Sequence, residues 1–249
     1  MKFCFSILIY FFFFSTGLTL QAQSPDTLNV TDKSGKKQGY WIKKDEYGRT
    51  VYEGQFRDNI PYGEFKYYYD NGRLKARSQL KNQGKDSWTV TYHKNGRVMS
   101  EGAYTNQQKD SLWTFYDTFG QMLTTENYQD GVLQGKFATY YQSGDTTEVL
   151  YYDDGLKHGG WRQYYKNGQM KTDGFYVNDT LHDSITFYHK NGKVMMAGKY
   201  DMGLRFGTWK HFNEEGRIEV VENYEKGELT GRESMMELPA AKDTLDRSE

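Results

Sequence analysis

Large apolar side chains and glycines return along this chain with one fixed period. Gly48, Gly72, Gly96, Gly120, Gly144, Gly168, Gly192 and Gly216 are each 24 residues apart. Seven places before these glycines stand Trp41, Phe65, Thr89, Trp113, Phe137, Trp161, Ile185 and Trp209. Four places before stand Lys44, Tyr68, Tyr92, Tyr116, Tyr140, Tyr164, Tyr188 and Phe212. Eight places after come Phe56, Leu80, Tyr104, Tyr128, Tyr152, Tyr176, Tyr200 and Tyr224. A mostly apolar column (Leu74, Val98, Met122, Met170, Val194, Ile218) lies two places after, and a small-residue column runs Gly39, Gly63, Ser87, Ser111, Gly135, Gly159, Asp183, Gly207 and Gly231. Eight glycines in register would arise by chance roughly once in 10⁸ for a given frame, so the repeat is real.

Each period reads as one antiparallel β-hairpin. Asn71-Gly72, Asn95-Gly96, Asn167-Gly168 and Asn191-Gly192 sit between runs rich in Tyr, Phe, Trp, Thr and Val. Asn-Gly in that setting predicts a two-residue turn in which both residues take positive φ. The residue seven before the glycine then pairs with the residue six after it, Trp41 with Gly54 and Trp161 with Gly174, and the ring covers the glycine backbone. Strand alternation puts the Trp column and the Tyr column eight after the turn on one face. It puts the Tyr column four before the turn on the other. Trp88, one place early in the third repeat, predicts a bulge there. The expected fold is all-β: about eight 24-residue hairpins, or roughly sixteen strands, stacked as an elongated, twisted antiparallel meander, an open rod with contacts between neighbours. The repeats span 35–231, with a linker over 23–34 and a disordered polar tail over 232–249.

Composition agrees with this picture. Aromatics are 17% of the chain, with 26 Gly and only 3 Pro, which favours strands and tight turns. The formal net charge of −1 argues against nucleic acid as a partner. Residues 1–22 read as a signal peptide, with Lys2, an apolar run from Phe3 to Leu20 and a small residue at Ala22. Cleavage there predicts an exported protein, periplasmic or extracellular. Cys4 is the one cysteine and lies in this leader, so the exported chain has no disulfide or thiol chemistry.

The stretch Gly159-Gly160-Trp161-Arg162-Gln163-Tyr164-Tyr165-Lys166-Asn167-Gly168, continuing through Gly174-Phe175-Tyr176, resembles MORN repeats. It is most similar to the bacterial MORN-variant repeats, which include the YwqK-like antitoxins. The resemblance covers about 35–231. It implies hairpin ladders that scaffold or bind partners, at times lipids or membranes. The antitoxin label implies a cytosolic protein that neutralises a toxin, whereas the leader points to export. The column six after the turn departs from glycine at Ser78, Glu126, Leu150 and Glu222.

Catalytic motifs are absent from the sequence: there is no Gly-x-Ser-x-Gly, no phosphate-cradling loop and no His-Glu-x-x-His. His158 and His182 share a column, but such residues are about 9.5 Å apart across two strands, too far to share a zinc ion. All five histidines read as solvated strand or turn residues, and Asp153-Asp154-Gly155 and Gln129-Asp130-Gly131 as turns. The expectation is a non-enzyme without cofactor or metal that binds or scaffolds an unknown protein partner. Its candidate binding residues are Tyr68, Tyr92, Tyr116, Tyr140, Tyr164 and Tyr188, with the eight column glycines as structural turns. A polysaccharide or membrane surface, with aromatic rows as sugar platforms, and an antitoxin or immunity protein are the alternative readings.

Overall fold

The structure, a computed structural model, describes residues 28–235. The expected leader over 1–22 and most of the expected tail lie outside these residues. The chain forms a single antiparallel sheet of 20 strands that follow one another in sequence order, except that Leu156–Lys157 and Gly159–Tyr164 share one partner strand, Thr146–Asp153, and Thr180–Leu181 and Asp183–Tyr188 share another, Met170–Val177. It runs from the pair Lys37–Lys44 and Thr50–Arg57 to the pair Ile218–Glu225 and Glu228–Ser234. No pairing joins the first strand to the last among the described residues, so the sheet is open. Leaving aside Val30–Thr31, Glu228–Ser234 and the two-residue segments Leu156–Lys157 and Thr180–Leu181, sixteen strands remain, two per period.

Two expected boundaries are corrected. Val30–Thr31, inside the expected linker, pairs antiparallel with Lys37 and Gln38. Arg232–Ser234, inside the expected tail, belongs to the final strand. At the first edge, the Asn29 side chain stands in for a strand. Its Nδ2 donates to the Ile42 carbonyl (3.1 Å) and its Oδ1 accepts from the Ile42 N–H (2.7 Å), while its own N–H donates to Tyr40 O (2.9 Å). Backbone groups of an edge strand that would otherwise face outward are thereby satisfied.

The Asn-Gly turn is not the two-residue type expected. Gly72 N–H donates to Tyr69 O (2.9 Å), Tyr69 N–H donates to Arg73 O (2.8 Å), and the register slips between Tyr67 and Tyr68. Gly72 has φ +77°, whereas Asn71 is not among the residues of positive φ. This is a three-residue loop closed by a left-handed glycine, which a side chain would strain. Asparagine serves a different purpose: its Oδ1 accepts the N–H two places on, as Asn71 does from Arg73 (3.1 Å) and Asn95 from Arg97 (3.0 Å). Two-residue turns with both φ positive occur at the opposite end of the ladder, where successive hairpins join. Asp58-Asn59 (52°, 69°) and Asp130-Gly131 (48°, 82°) are examples.

The small-residue column explains how the core forms. Gly63, Ser111 and Gly207 have positive φ in mid-strand (71°, 60°, 64°). There the register jumps from Ala103↔Asp110 to Glu101↔Thr114, so three residues face Gly102 alone. The bulge throws the next large ring onto the glycine. A β-carbon on Gly102 would lie 2.4 Å from the Trp113 ring, on Gly54 2.6 Å from Phe65, and on Gly198 2.2 Å from Trp209. Trp41 pairs with Gly54 as expected, but the ring covering that glycine comes from the following repeat, not from the hairpin partner. Trp113 and Trp209 are 1% and 0% exposed, with Tyr104 and Tyr200 edge-on to them at 5.0 and 5.2 Å. Burying an aromatic ring of this size is the largest single packing contribution a side chain makes.

The third repeat lacks this bulge. Gln79↔Trp88, Leu80↔Ser87 and Lys81↔Asp86 pair without a break, and the additional residues form the loop around Asn82–Gly84. Trp88 therefore marks a missing bulge, not an extra one. In the core its place is taken by Thr89, whose Oγ1 bonds Ser78 Oγ at 2.8 Å. Glycine and overlying ring are replaced together by two small hydroxyl residues.

Candidate binding surface

The two faces of the sheet differ chemically. The ring face carries the Trp column and the Tyr column eight after the turn, and four of its own cations lie over those rings: Lys37, Lys109, Lys157 and Arg205. The opposite face carries Tyr68, Tyr92, Tyr116, Tyr140, Tyr164 and Tyr188, one per repeat, all half-buried. Each ends the strand that enters an Asn-Gly-type turn. Tyr68 donates its hydroxyl to Glu53 (2.6 Å) and Tyr116 to Glu101 (2.7 Å), while Tyr140 shares a bond with Thr125 (3.0 Å). Burial, then the Glu101 bond and charge, push the Tyr116 hydroxyl up to about 12. Burial and Glu53 push Tyr68 up as well. These hydroxyls stay protonated at neutral pH and act as donors that fix the rings in place.

Exposed apolar groups on this face flank that column in the third to fifth strand pairs. Trp88 is 51% exposed, Leu112 49%, Leu123 46% and Met99 36%. Trp88 pairs with Ala103, whose strand next bonds the strand carrying Leu112; Leu123 and Met99 lie beside the turns that follow Tyr116 and Tyr92. Around Trp88, Glu64, Arg77, Gln79, Val90 and Glu101 line a shallow hollow. Neighbouring charges are paired, with Lys66 3.2 Å from Glu64 and 3.6 Å from Glu53. The Glu64 bond, chiefly, holds the Lys66 ammonium above its ordinary range. The sequence contained a signal for this patch. Read by strict alternation, Trp88 belongs to the tyrosine face, one place out of the core column.

The histidines have structural work at the turns. His93 and His189 donate through Nε2 to Tyr116 O and Phe212 O, each 23 residues on, at 2.9 Å. Tyr69, Tyr141 and Tyr165 make the same reach with their hydroxyls (2.7 Å each), and Asn95 Nδ2 reaches Thr118 O (2.7 Å). At the other end, His158 Nδ1 bonds Asn178 Oδ1 (3.2 Å) and His182 Nδ1 accepts from Met202 N–H (3.4 Å), each 20 residues on. His211 departs from the solvated reading and bonds the buried Glu222 at 3.0 Å. Among the described residues no three His, Cys, Asp or Glu are grouped to hold a metal, and no helix is long and apolar enough to cross a membrane.

The MORN repeat variant family matches at residues 61–82 and 157–178, segments that begin four periods apart, so the chain carries MORN-variant repeats. Repeats of this kind are generally protein- or membrane-binding modules. No curated protein matches the chain. Among solved structures, the crystal structure of TcdB2-TccC3-Cdc42 is 11% identical over 77% of this chain and 12% of its own, with a TM-score of 0.19. That of TcdB2-TccC3 is 10% identical over 77% and 13%, with a TM-score of 0.20. The chain thus spans about an eighth of those proteins, and scores this low carry no argument.

Proposed function

We propose that the protein is an exported, non-catalytic repeat module that binds or scaffolds a protein partner through its tyrosine face, centred on Trp88 and Leu112. One observation carries this reading: of the five tryptophans, Trp88 alone is exposed, because the third repeat lacks the bulge that buries its counterparts. A large ring held rigidly on a strand, beside Leu112 and half-buried tyrosines, has the makeup of an interface anchor. The raised, carboxylate-bonded tyrosine hydroxyls and the absence of a catalytic motif in the sequence favour binding over chemistry. Export rests on the leader ending at Ala22.

The test is capture from an envelope extract by immobilised protein, wild type against Trp88→Ser/Leu112→Ser. Both side chains are about half exposed, so the variant should keep its unfolding midpoint within a few degrees. It should lose partner capture tenfold or more, since anchor truncations commonly cost about 2 kcal/mol or more each. Undiminished capture by a folded variant would sink the assignment of this face. The polar hollow under Trp88 also suits stacking by a sugar ring. Retention of glycans on an array by wild type, with no protein captured, would favour that second reading.

A further inference from the structure

A second periodic column roofs the ring face: Lys37, Pro61, Lys85, Lys109, Leu133, Lys157, Leu181 and Arg205. Where this column is cationic and rings lie below it, the same contact recurs. The Lys109 ammonium is 4.8 Å from the Trp113 ring centroid, 4.7 Å from Phe115 and 4.7 Å from Tyr128. Lys37 is 4.7 Å from Trp41 and 4.8 Å from Phe56, and Arg205 is 4.4 Å from Trp209 and 5.2 Å from Tyr224. The molecule has thus built one recognition geometry several times: a cation over the faces of two or three rings.

In the second repeat the strand's own rings, Phe65 and Tyr67, have no cation over them among the described residues, whereas Lys37 lies 4.8 Å from Phe56 and 6.0 Å from Tyr52 on the neighbouring strand. Counting as from Lys109 to Trp113, Phe115 and Tyr128, Pro61 leads to Phe65, Tyr67 and Leu80. Tyr52 and Phe56 from the preceding strand join them. The four rings touch pairwise, Phe56–Phe65 at 5.2 Å, Tyr52–Phe65 at 6.2 Å, Tyr52–Tyr67 at 6.2 Å and Phe65–Tyr67 at 6.4 Å. They line a hollow of about 240 Å³ whose wall includes Gly84, brought against Pro61 by the third-repeat loop. The column's next cation, Lys85, closes the third-repeat loop, is exposed, and makes no cation–ring contact among the described residues.

We propose that this hollow receives, over Phe65 and Tyr67, the ammonium of a lysine side chain on a partner polypeptide, in the position Lys109 takes in its own repeat. The chemistry is set by what the fold places at equivalent sites: a charged alkylammonium, its stem against Pro61 and Leu80 and its head over the rings. The site lies on the ring face, so its fate is independent of the assignment of Trp88.

The purified protein would be titrated with Nα-acetyl-lysine-N-methylamide while the ring protons of Phe65 and Tyr67 are followed by NMR. The same compound acetylated at Nε, of similar shape and no charge, is the control. Saturable shifts with the charged compound and at least fivefold weaker binding of the neutral one are expected. Pro61→Lys supplies the cation from within, as four other repeats do, and should weaken binding at least fivefold. Tyr67→Leu, at a half-exposed ring, should do so by removing a wall. No saturable shift, equal binding of charged and neutral probes, or unchanged affinity in a folded Pro61→Lys or Tyr67→Leu protein would each overturn the proposal.

Discussion

Replacing Gly102 by alanine tests whether the bulge-and-glycine device holds the core. The added β-carbon would sit 2.4, 2.5 and 2.6 Å from Cδ2, Cε2 and Cγ of Trp113. Carbon atoms prefer about 3.5–4.0 Å, so the ring must move by roughly 1 Å. It has little room to do so. Trp113 is 1% exposed, its Nε1 donates to Ala103 O at 2.9 Å, Tyr104 abuts it edge-on, and Lys109 lies over it. Overpacking of this kind costs about 1–3 kcal/mol, which for a domain near 200 residues lowers Tm by roughly 2–12 °C. Calorimetry and urea titration followed by tryptophan fluorescence would read it. Gly160→Ala is the control, since a β-carbon there meets nothing within 4 Å and the φ is not left-handed. That change should stay within about 0.5 kcal/mol. The double change Gly102→Ser/Trp113→Thr recreates the Ser78–Thr89 pair and should cost about 0.5–3 kcal/mol less than the sum of its single changes. If Gly102→Ala proves as mild as Gly160→Ala, the ring-over-glycine account of the core is wrong.

Two further changes probe the polar framework. Asn95→Asp keeps the oxygen that accepts Arg97 N–H but removes the donor to Thr118 O, and should lower stability by about 0.5–1.5 kcal/mol, read as a shift in urea midpoint. Burial alone would raise the Glu222 carboxyl, but the bonds from His211 and Tyr224 and the charge of Arg232 outweigh it and hold the group below its ordinary value. A carboxylate lowered by folding stabilises above its unfolded pKa of about 4.3, and that stability is lost as pH falls through the lower folded value. The gap between wild type and Glu222→Gln should therefore be widest near pH 6–7 and shrink below about pH 4; urea midpoints across this range that keep a constant gap would contradict the network.

The period, the hairpin unit, the pairing of Trp41 with Gly54 and the open meander were legible because strand alternation and a strict 24-residue register leave few alternatives. Turn geometry was harder to read. Asn-Gly serves a two-residue turn and a three-residue loop alike, and the hydrogen bonds show why asparagine stands there: Oδ1 accepts the N–H two places on, and Asn95 Nδ2 reaches Thr118 O 23 residues away. The mid-strand bulge was hidden because the small-residue column lies only four or five places from a turn and looks like part of it. That single omission misassigned both the ring that covers Gly54 and the meaning of Trp88. The six tyrosines were placed on the right face by alternation, but their anchoring to Glu53, Glu101 and Thr125 depends on neighbouring strands that periodicity does not describe.

The clamp of Asn29 on Ile42 bears on how copies of this protein can meet. An open sheet with two bare margins can add molecules head to tail without limit, each end accepting the next. Here one margin is partly occupied by the chain itself, through Asn29 and Val30–Thr31, which leaves a two-residue strand as the edge at that end. Among the described residues, the longer open margin is Glu228–Ser234 at the other end. Main-chain pairing of that margin with its own counterpart would be two-fold and would close on itself as a dimer.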